Sequence, residues 1–511
     1  MFKRLLVTLL MAVATAGASG PVRAVYGIAA RVASLDPFTV SGIEAYEITG
    51  HVVEPLARLN AKTRELMPCL ALRWEIDQSK NKVRIFLREG VRFHDGSEFS
   101  AEDVKFTFDA YFDPRFNGEI WRAMWSDVAS VRVMDRHQVE FEFKKLKYQS
   151  FENLMTSLRI LPRKAFQTST QEFRRSHLLG TGPFKVESFE PNRSLRLMAN
   201  KNWWSGQAPN FEVLVKSVSD LKLAQQLMNK SELDYYEVPI SEASSILKDP
   251  QVKAYPALKG EGVWLHLNLR HPVLADAKVR EALLLLWNRG ELNQKIFSDQ
   301  FRLALDIFSP QMSFYPAGKP EPYDLLKAKS LLRSVGWEDS DKDGVLDKKI
   351  LGQTTPLKLR LLVRSSQDER WLSLYQANAA SAGVKIIFQR VQDEALWWKL
   401  VHEGKFDAGA GSGGLDTSVL PGGWRSGAYY NISGYSNAEV DRRLDQLENE
   451  FDPRKRSRIQ QELIKLVRAD RVAIPGLYSP NSYFLVSQRL DLDPESPTKA
   501  WRWRLKDQQF P

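Results

Sequence analysis

Between Leu357 and Phe388 the hydrophobic pattern changes period twice, and no other stretch constrains the fold as much. Leu357-Lys358-Leu359-Arg360-Leu361-Leu362-Val363 alternates at first and then turns wholly apolar, as a strand entering a core does. Trp371–Ala382 has helical spacing, and Gly383 stands where a helix wants its C-cap. Val384–Phe388 reads as a second strand. Strand, helix and strand in that order predict a βαβ crossover joining parallel neighbours. A further helix over Asp393–Glu403 leads into Phe406-Asp407-Ala408. Elsewhere Val139–Phe143 and Leu195–Leu197 alternate like strands, and Val279–Trp287, Val440–Leu447 and Ile459–Val467 carry helical periods. The expected fold class is α/β with mixed sheets.

A chain of 511 residues corresponds to about three domain-sized units. No repeat, low-complexity tract or Pro-rich or Gly/Ser-rich linker divides it, so the units are expected to interleave in sequence. Cys69 is the only cysteine, which rules out an intrachain disulfide; it lies in an apolar block and reads as a buried small hydrophobe. The formal charge of +10 is spread along the chain and comes without any nucleic-acid-binding motif. It reads as a solvated basic surface, with no nucleic acid partner.

Lys3 and Arg4, the apolar run Leu5–Ala16, a stretch of small residues and then Val22-Arg23-Ala24 have the form of a secretory signal. Cleavage is expected after Ala24, making residues 1–24 a signal peptide and the periplasm the destination. The apolar run is short for a bilayer span, and an uncleaved anchor is the alternative. No cysteine stands near the cleavage point to take a lipid.

The run Leu87–Asp109, LREGVRFHDGSEFSAEDVKFTFD, is densely punctuated. A strand over Val83–Leu87 feeds a turn at Glu89-Gly90, and His94-Asp95-Gly96 makes another. Ser100 is a good N-cap, and Glu102 and Asp103 put negative charge in the first helical turn. This run resembles the signature segment of bacterial extracellular solute-binding proteins of family 5. Ser34-Leu35-Asp36-Pro37, Glu54-Pro55-Leu56, Pro68–Trp74, Gly180-Thr181-Gly182-Pro183-Phe184 and Asn200–Trp204 resemble further family blocks, with Trp203 as a departure. Asp276–Ala282, Gly434–Asn437, Val440-Asp441, Asp452-Pro453 and Arg456 continue the series. The blocks are colinear from about residue 34 to residue 490.

The resemblance implies a two-lobed periplasmic-binding-protein fold that closes about a hinge. Lobe one would comprise 25–55, 179–262 and 478–511, with an extra subdomain at 56–178, and lobe two 263–477. It further implies a monomeric receptor that hands peptides to the permease of an ABC importer, with no cofactor and no metal. Relatives that bind nickel chelates or oligosaccharides make a non-peptide solute the alternative. A secreted envelope hydrolase is a remote one, since no G-x-S-x-G, H-E-x-x-H or P-loop occurs.

Candidate ligand-binding residues follow from both sources. Gly409-Ala410-Gly411-Ser412-Gly413-Gly414 satisfies G-x-G-x-x-G, but Pro421 follows where a nucleotide-binding helix should run. The better reading is a strand end whose bare main chain meets a ligand, with Gly413 and Gly414 in contact. By resemblance Asp416 would hold a ligand ammonium group, although the family's Asp-x-x-Asp-Pro context is missing. Arg370 would take a ligand carboxylate, and Ser41-Gly42-Ile43 would bond a peptide backbone. Trp397 and Trp424 are the aromatics expected in the wall. Asp339–Asp347 imitates a calcium loop but carries Ile350 at the twelfth position, so a polar surface turn is expected, with weak calcium binding as the alternative.

Overall fold

The computed structural model of the chain describes residues 23–505 except 41–44, 46–47, 61–62, 64, 207, 240–251, 258–260, 298, 300, 309–314, 316, 365–368, 415–422, 479–481 and 493–503. Two mixed sheets dominate. The first has seven strands in the spatial order Val252–Ala257, Ser482–Ser487, Tyr235–Pro239, Arg23–Ile28, Glu212–Ser217, Ser194–Ala199, Phe184–Glu190. Its central strand, Arg23–Ile28, is parallel to both neighbours, while the other pairings are antiparallel. The second has six, in the order Arg302–Leu303, Ala473–Tyr478, Glu261–Leu267, Ala408–Gly414, Lys358–Arg364, Lys385–Val391.

The expected crossover is present. Lys358–Arg364 and Lys385–Val391 are parallel, joined by the helix Glu369–Ala380. That helix buries Trp371, Leu372, Tyr375 and Ala379, one face at helical spacing. It ends at Ala380, and Gly383, whose φ is +78°, donates its N–H back to the Ala380 carbonyl. Leu361, Leu362 and Val363 are all buried because their strand has neighbours on both edges and cover on both faces.

A separate antiparallel sheet, Ala71–Asp77, Lys82–Leu87, Gln138–Phe143 and Val128–Asp135, carries the helix Ala101–Phe112. Its start follows the expected punctuation: Asp103 Oδ2 accepts from the Ser100 N–H at 2.9 Å and from its hydroxyl at 3.0 Å. One hydrophobic core runs through this sheet and the seven-stranded one, whereas the six-stranded sheet has its own. The chain passes from the first large sheet to the second between Ala257 and Glu261, and returns between Tyr478 and Ser482. On either side of these crossings Ala257 pairs with Ser482 and Gly262 with Tyr478. A second contact joins the units. Phe451 packs on Tyr148 and Phe151 at ring distances of 5.8 Å, Arg456 lies 3.3 Å over the Tyr148 ring, and Lys147 pairs with Glu448 at 2.9 Å.

Two departures from the sequence reading go beyond a shift of a residue or two at an element's end. The helix expected over Ile459–Val467 spans Pro453–Ala469, because Asp452 caps it and Pro453 suits its first turn; Arg454, Lys455, Arg456 and Arg458 are charged and gave no apolar period. Arg23 and Ala24, assigned above to the leader, open the central strand of the first sheet. Among the described residues no helix is long and apolar enough to cross a membrane. Cys69 is buried, and burial pushes its thiol up to about 12, so it is inert.

Candidate ligand-binding cleft

The parallel strands Lys358–Arg364 and Ala408–Gly414 both end at the edge where the chain crosses between sheets. Gly413 and Gly414 lie opposite Gly262 and Glu261, the first residues after the crossing. Ligands of open α/β sheets bind beyond such carboxyl ends. The ladder between these two strands covers only Leu361 with Ala408 and Leu362 with Gly409. Among the described residues, Gly411–Gly414 then pair on one side alone, with Glu261–Trp264.

Side chains from three strands meet there. Trp264 Nε1 donates to His266 Nε2 at 2.7 Å, two positions along the same strand and therefore on the same face. Burial, with the charge of Arg364 added to it, lowers the His266 pKa to about 4, so the ring is neutral and its Nε2 is an acceptor. Gly411 faces this pair. A Cβ at that position would lie 2.3 Å from Trp264 Nε1 and 2.9 Å from His266 Nε2, so no other residue fits without displacing them. Arg364, the last residue of its strand, holds its guanidinium 3.8 Å from the Trp397 ring centroid and 5.7 Å from that of Trp398.

The residues named from sequence fall out as follows. Gly413 and Gly414 end the glycine strand. Trp397 is 4% exposed and packs on Leu362, Val391, Val401 and Phe406, so it backs the wall and supports Arg364. Trp424 is 7% exposed and packs with Trp264 and Tyr435, behind the glycine strand. Arg370 is in the first turn of its helix, with its side chain outside the described residues. Asp416 and Ser41-Gly42-Ile43 also lie outside them. Sequence reasoning missed Trp264, His266 and Arg364. A Trp-x-His pair at strand spacing and an arginine closing an apolar strand were the available signals.

Five of the blocks that carry the family resemblance meet elsewhere, around Glu54, whose side chain is fully buried. Its carboxylate pairs with Arg58 at 2.7 Å and accepts from the Thr181 hydroxyl at 2.8 Å and the Trp204 indole at 2.7 Å. Cys69 Sγ is 3.8 Å away. Beside it, His94 Nδ1 accepts from the Gly180 N–H at 3.3 Å while Nε2 meets the Gly182 carbonyl at 3.0 Å. Burial lowers the His94 pKa to about 4, and the neutral Nε2–H tautomer satisfies both bonds. A Cβ on Gly180 would lie 2.1 Å from the Val52 carbonyl oxygen, so the turn is glycine by close approach. These blocks therefore tie the antiparallel unit to the seven-stranded sheet.

Asp339, Asp341 and Asp343 bring carboxylates within 4.8 Å of one another on an exposed turn. They accept backbone N–H groups of Gly344, Asp343 and Val345, at 3.2, 3.2 and 2.8 Å, which accounts for the acidic spacing as turn chemistry.

Two sheet-centred lobes joined by paired crossings, with a third unit built onto the first, define the two-lobed periplasmic-binding-protein fold. The chain belongs to the bacterial extracellular solute-binding proteins, family 5: the family description "Bacterial extracellular solute-binding proteins, family 5 Middle" matches residues 65–429, more than half of the chain. Among curated relatives, the oligopeptide-binding protein AppA of Bacillus subtilis is 24% identical over 422 residues, covering 79% of this chain and 76% of AppA. The solved structure of AppA with a nonapeptide covers 95% of this chain and all of its own, at 21% identity and TM-score 0.65. HbpA2 from Haemophilus parasuis gives the same coverage and identity with TM-score 0.82. NikZ from Campylobacter jejuni, in complex with Ni(L-His), covers 94% of this chain and 99% of its own at 20% identity, with TM-score 0.67.

Proposed function

We propose that this chain is the substrate-binding receptor of an ABC importer, which captures peptides between its two lobes and delivers them to a membrane permease. One observation carries the peptide reading: at the crossing edge the glycine strand Gly411–Gly414 pairs, among the described residues, on one side alone. An extended peptide can add to such an edge through its own main chain, which gives affinity without demanding particular side chains. The names of the relatives support the same ligand class, AppA being an oligopeptide-binding protein whose complex holds a nonapeptide.

In this reading the seven-stranded sheet is the centre of lobe one, residues 56–178 its added subdomain, and residues 263–477 lobe two. The chain crossings near 262 and 478 form the hinge. Asp416 binds the peptide ammonium, Arg370 its carboxylate, and Ser41-Gly42-Ile43 the backbone from the opposite lobe. Arg364 adds a stacked cation at the same edge. Trp397 and Trp424 act from behind, holding Arg364 and Trp264 in place. The protein works as a monomer in the periplasm and releases its guest chemically unchanged, which separates it from an envelope hydrolase.

Native mass spectrometry of gently purified protein tests the ligand class. Bound masses that fragment as peptides are expected. A nickel chelate or a sugar as the sole guest contradicts the peptide reading and leaves the receptor fold intact.

A further inference from the structure

We infer that the unit around the six-stranded sheet carries a ligand site of its own, apart from the cleft, for a small polycarboxylate that also bears a hydroxyl. A cavity of about 670 Å³ lies between the helix Pro453–Ala469 and the segment around Tyr315 and Glu321. Small-molecule sites are of this size, roughly 300–1,000 Å³. All its lining residues fall between the two chain crossings, so one lobe builds it alone. It shares no residue with the glycine strand, Trp264, His266 or Arg364.

Three cations face this cavity. Gln461, Lys465 and Arg468 stand at i, i+4 and i+7 on one face of the helix, and Arg471 follows its end. Arg471 holds φ at +51°, a left-handed conformation that favours glycine, so its guanidinium is presented at a conformational cost. Glu321 is the single carboxylate of the lining. Its Oε1 accepts from Arg471 Nη1 at 2.9 Å and from Arg468 Nη2 at 3.3 Å. Its main chain is fixed too: the Glu321 carbonyl accepts from Arg289 Nη2, while Arg289 Nη1 reaches the Ala304 carbonyl at 2.7 Å and the Pro475 carbonyl at 3.0 Å. Three cations against one carboxylate leave an excess of two positive charges in the wall. Behind it Arg289 and the buried Asp306 add one charge of each sign, which keeps that excess. An anion is the complementary guest.

The second Glu321 oxygen sets the other requirement. Oε2 is buried and, among the described residues, meets no donor. A guest that brings an O–H to it removes the penalty of an open buried acceptor. A guest ammonium suits the place less well, because Arg468 and Arg471 already share this carboxylate. Lys465 and Arg468 are offset along the helix by roughly 5 Å, so acid groups spaced along a carbon skeleton match them better than one compact phosphate. Ile464 and Tyr315 give that skeleton an apolar wall. The Tyr315 ring is held in place by its hydroxyl, which accepts from the Leu305 and Asp306 N–H groups at 3.0 and 3.3 Å.

Calorimetric titration of the full chain with citrate at low ionic strength tests the site. Saturable binding of one citrate per chain is expected, and no heat overturns the inference. Glycerol phosphate, titrated in parallel, should bind more weakly; the reverse order overturns the polycarboxylate class. Tricarballylate, which is citrate without its hydroxyl, should bind at least about tenfold more weakly. Equal affinity would strip Glu321 Oε2 of its role and contradict the proposed guest. Arg468→Gln should weaken citrate at least about tenfold. Lys465→Gln, exposed and in no ion pair among the described residues, should keep the fold and weaken citrate roughly two- to fivefold. Unchanged affinity in both variants would mean attraction to a generally basic surface and would contradict the site. Arg364→Gln, at the crossing edge, should leave citrate affinity as it is; a loss there would put the anion in the cleft and overturn the inference. None of these results bears on the peptide reading.

Discussion

The indole N–H of Trp204 reaches the buried Glu54 carboxylate at 2.7 Å, across a sequence separation of 150 residues. Through Glu54 that contact connects the Asn200–Trp204 block to Arg58, to Thr181 and to the neighbourhood of Cys69. Five of the motifs that carry the family resemblance thus form the joint between the added subdomain and the first sheet.

Glu54→Gln should therefore act on stability and not on ligand affinity. It removes the carboxylate that accepts from Arg58, Thr181 and Trp204, and losing a charged acceptor of this kind costs about 1.5–3 kcal/mol. Urea unfolding should show the midpoint shift, while calorimetric titration of the remaining folded protein returns an unchanged peptide affinity.

The two buried histidines set an acid limit. Folded-state pKa values of about 4 for His94 and His266 lie below the ordinary 6.5. A depressed pKa means that the unfolded chain binds protons first, so this stability is present above pH 6.5 and is lost as pH falls toward 4. Melting temperature followed from pH 7 to pH 4 should drop. His94→Gln, which keeps one acceptor and one donor without a titrating ring, should flatten part of that drop.

Gly411→Ala tests the glycine strand. The added methyl meets the Trp264 indole at 2.3 Å and must push it off His266. The strain should lower stability by about 1–3 kcal/mol. Peptide affinity should fall at least roughly tenfold, since the edge that receives the ligand backbone moves with it. Urea unfolding and calorimetry read the two effects separately.

Asp416→Asn tests the ammonium contact. A charge-assisted hydrogen bond is worth roughly 1.5–3 kcal/mol, so free-amine peptides should bind at least roughly tenfold more weakly. N-acetylated peptides should bind the variant and the parent alike. Equal weakening of both peptide types would remove Asp416 from that role.

The crossover Leu357–Phe388 was legible because a change of hydrophobic period is a local signal, and Gly383 marks its helix end by the same local logic. The capped start at Ser100 was legible for the same reason. The cleft was less so. Trp264, His266, Arg364 and Gly411 come from three strands spread over nearly 150 residues, and only the sheet order brings them together. The start of the Pro453–Ala469 helix was hidden because its first turns are charged on every side. Arg23 and Ala24 were read as leader because a small residue after a polar spacer mimics a cleavage point; their place in the sheet depends on partners as distant as Arg489. The signature blocks were legible as a pattern, but their convergence on Glu54 was not.

Small-angle X-ray scattering of the mature protein with and without a saturating mixture of short peptides addresses capture between lobes most directly. A smaller radius of gyration on peptide addition, with the change absent in Gly411→Ala at the same concentration, is the expected result. An identical scattering curve under conditions where calorimetry records peptide binding would contradict the closure of two lobes around the ligand.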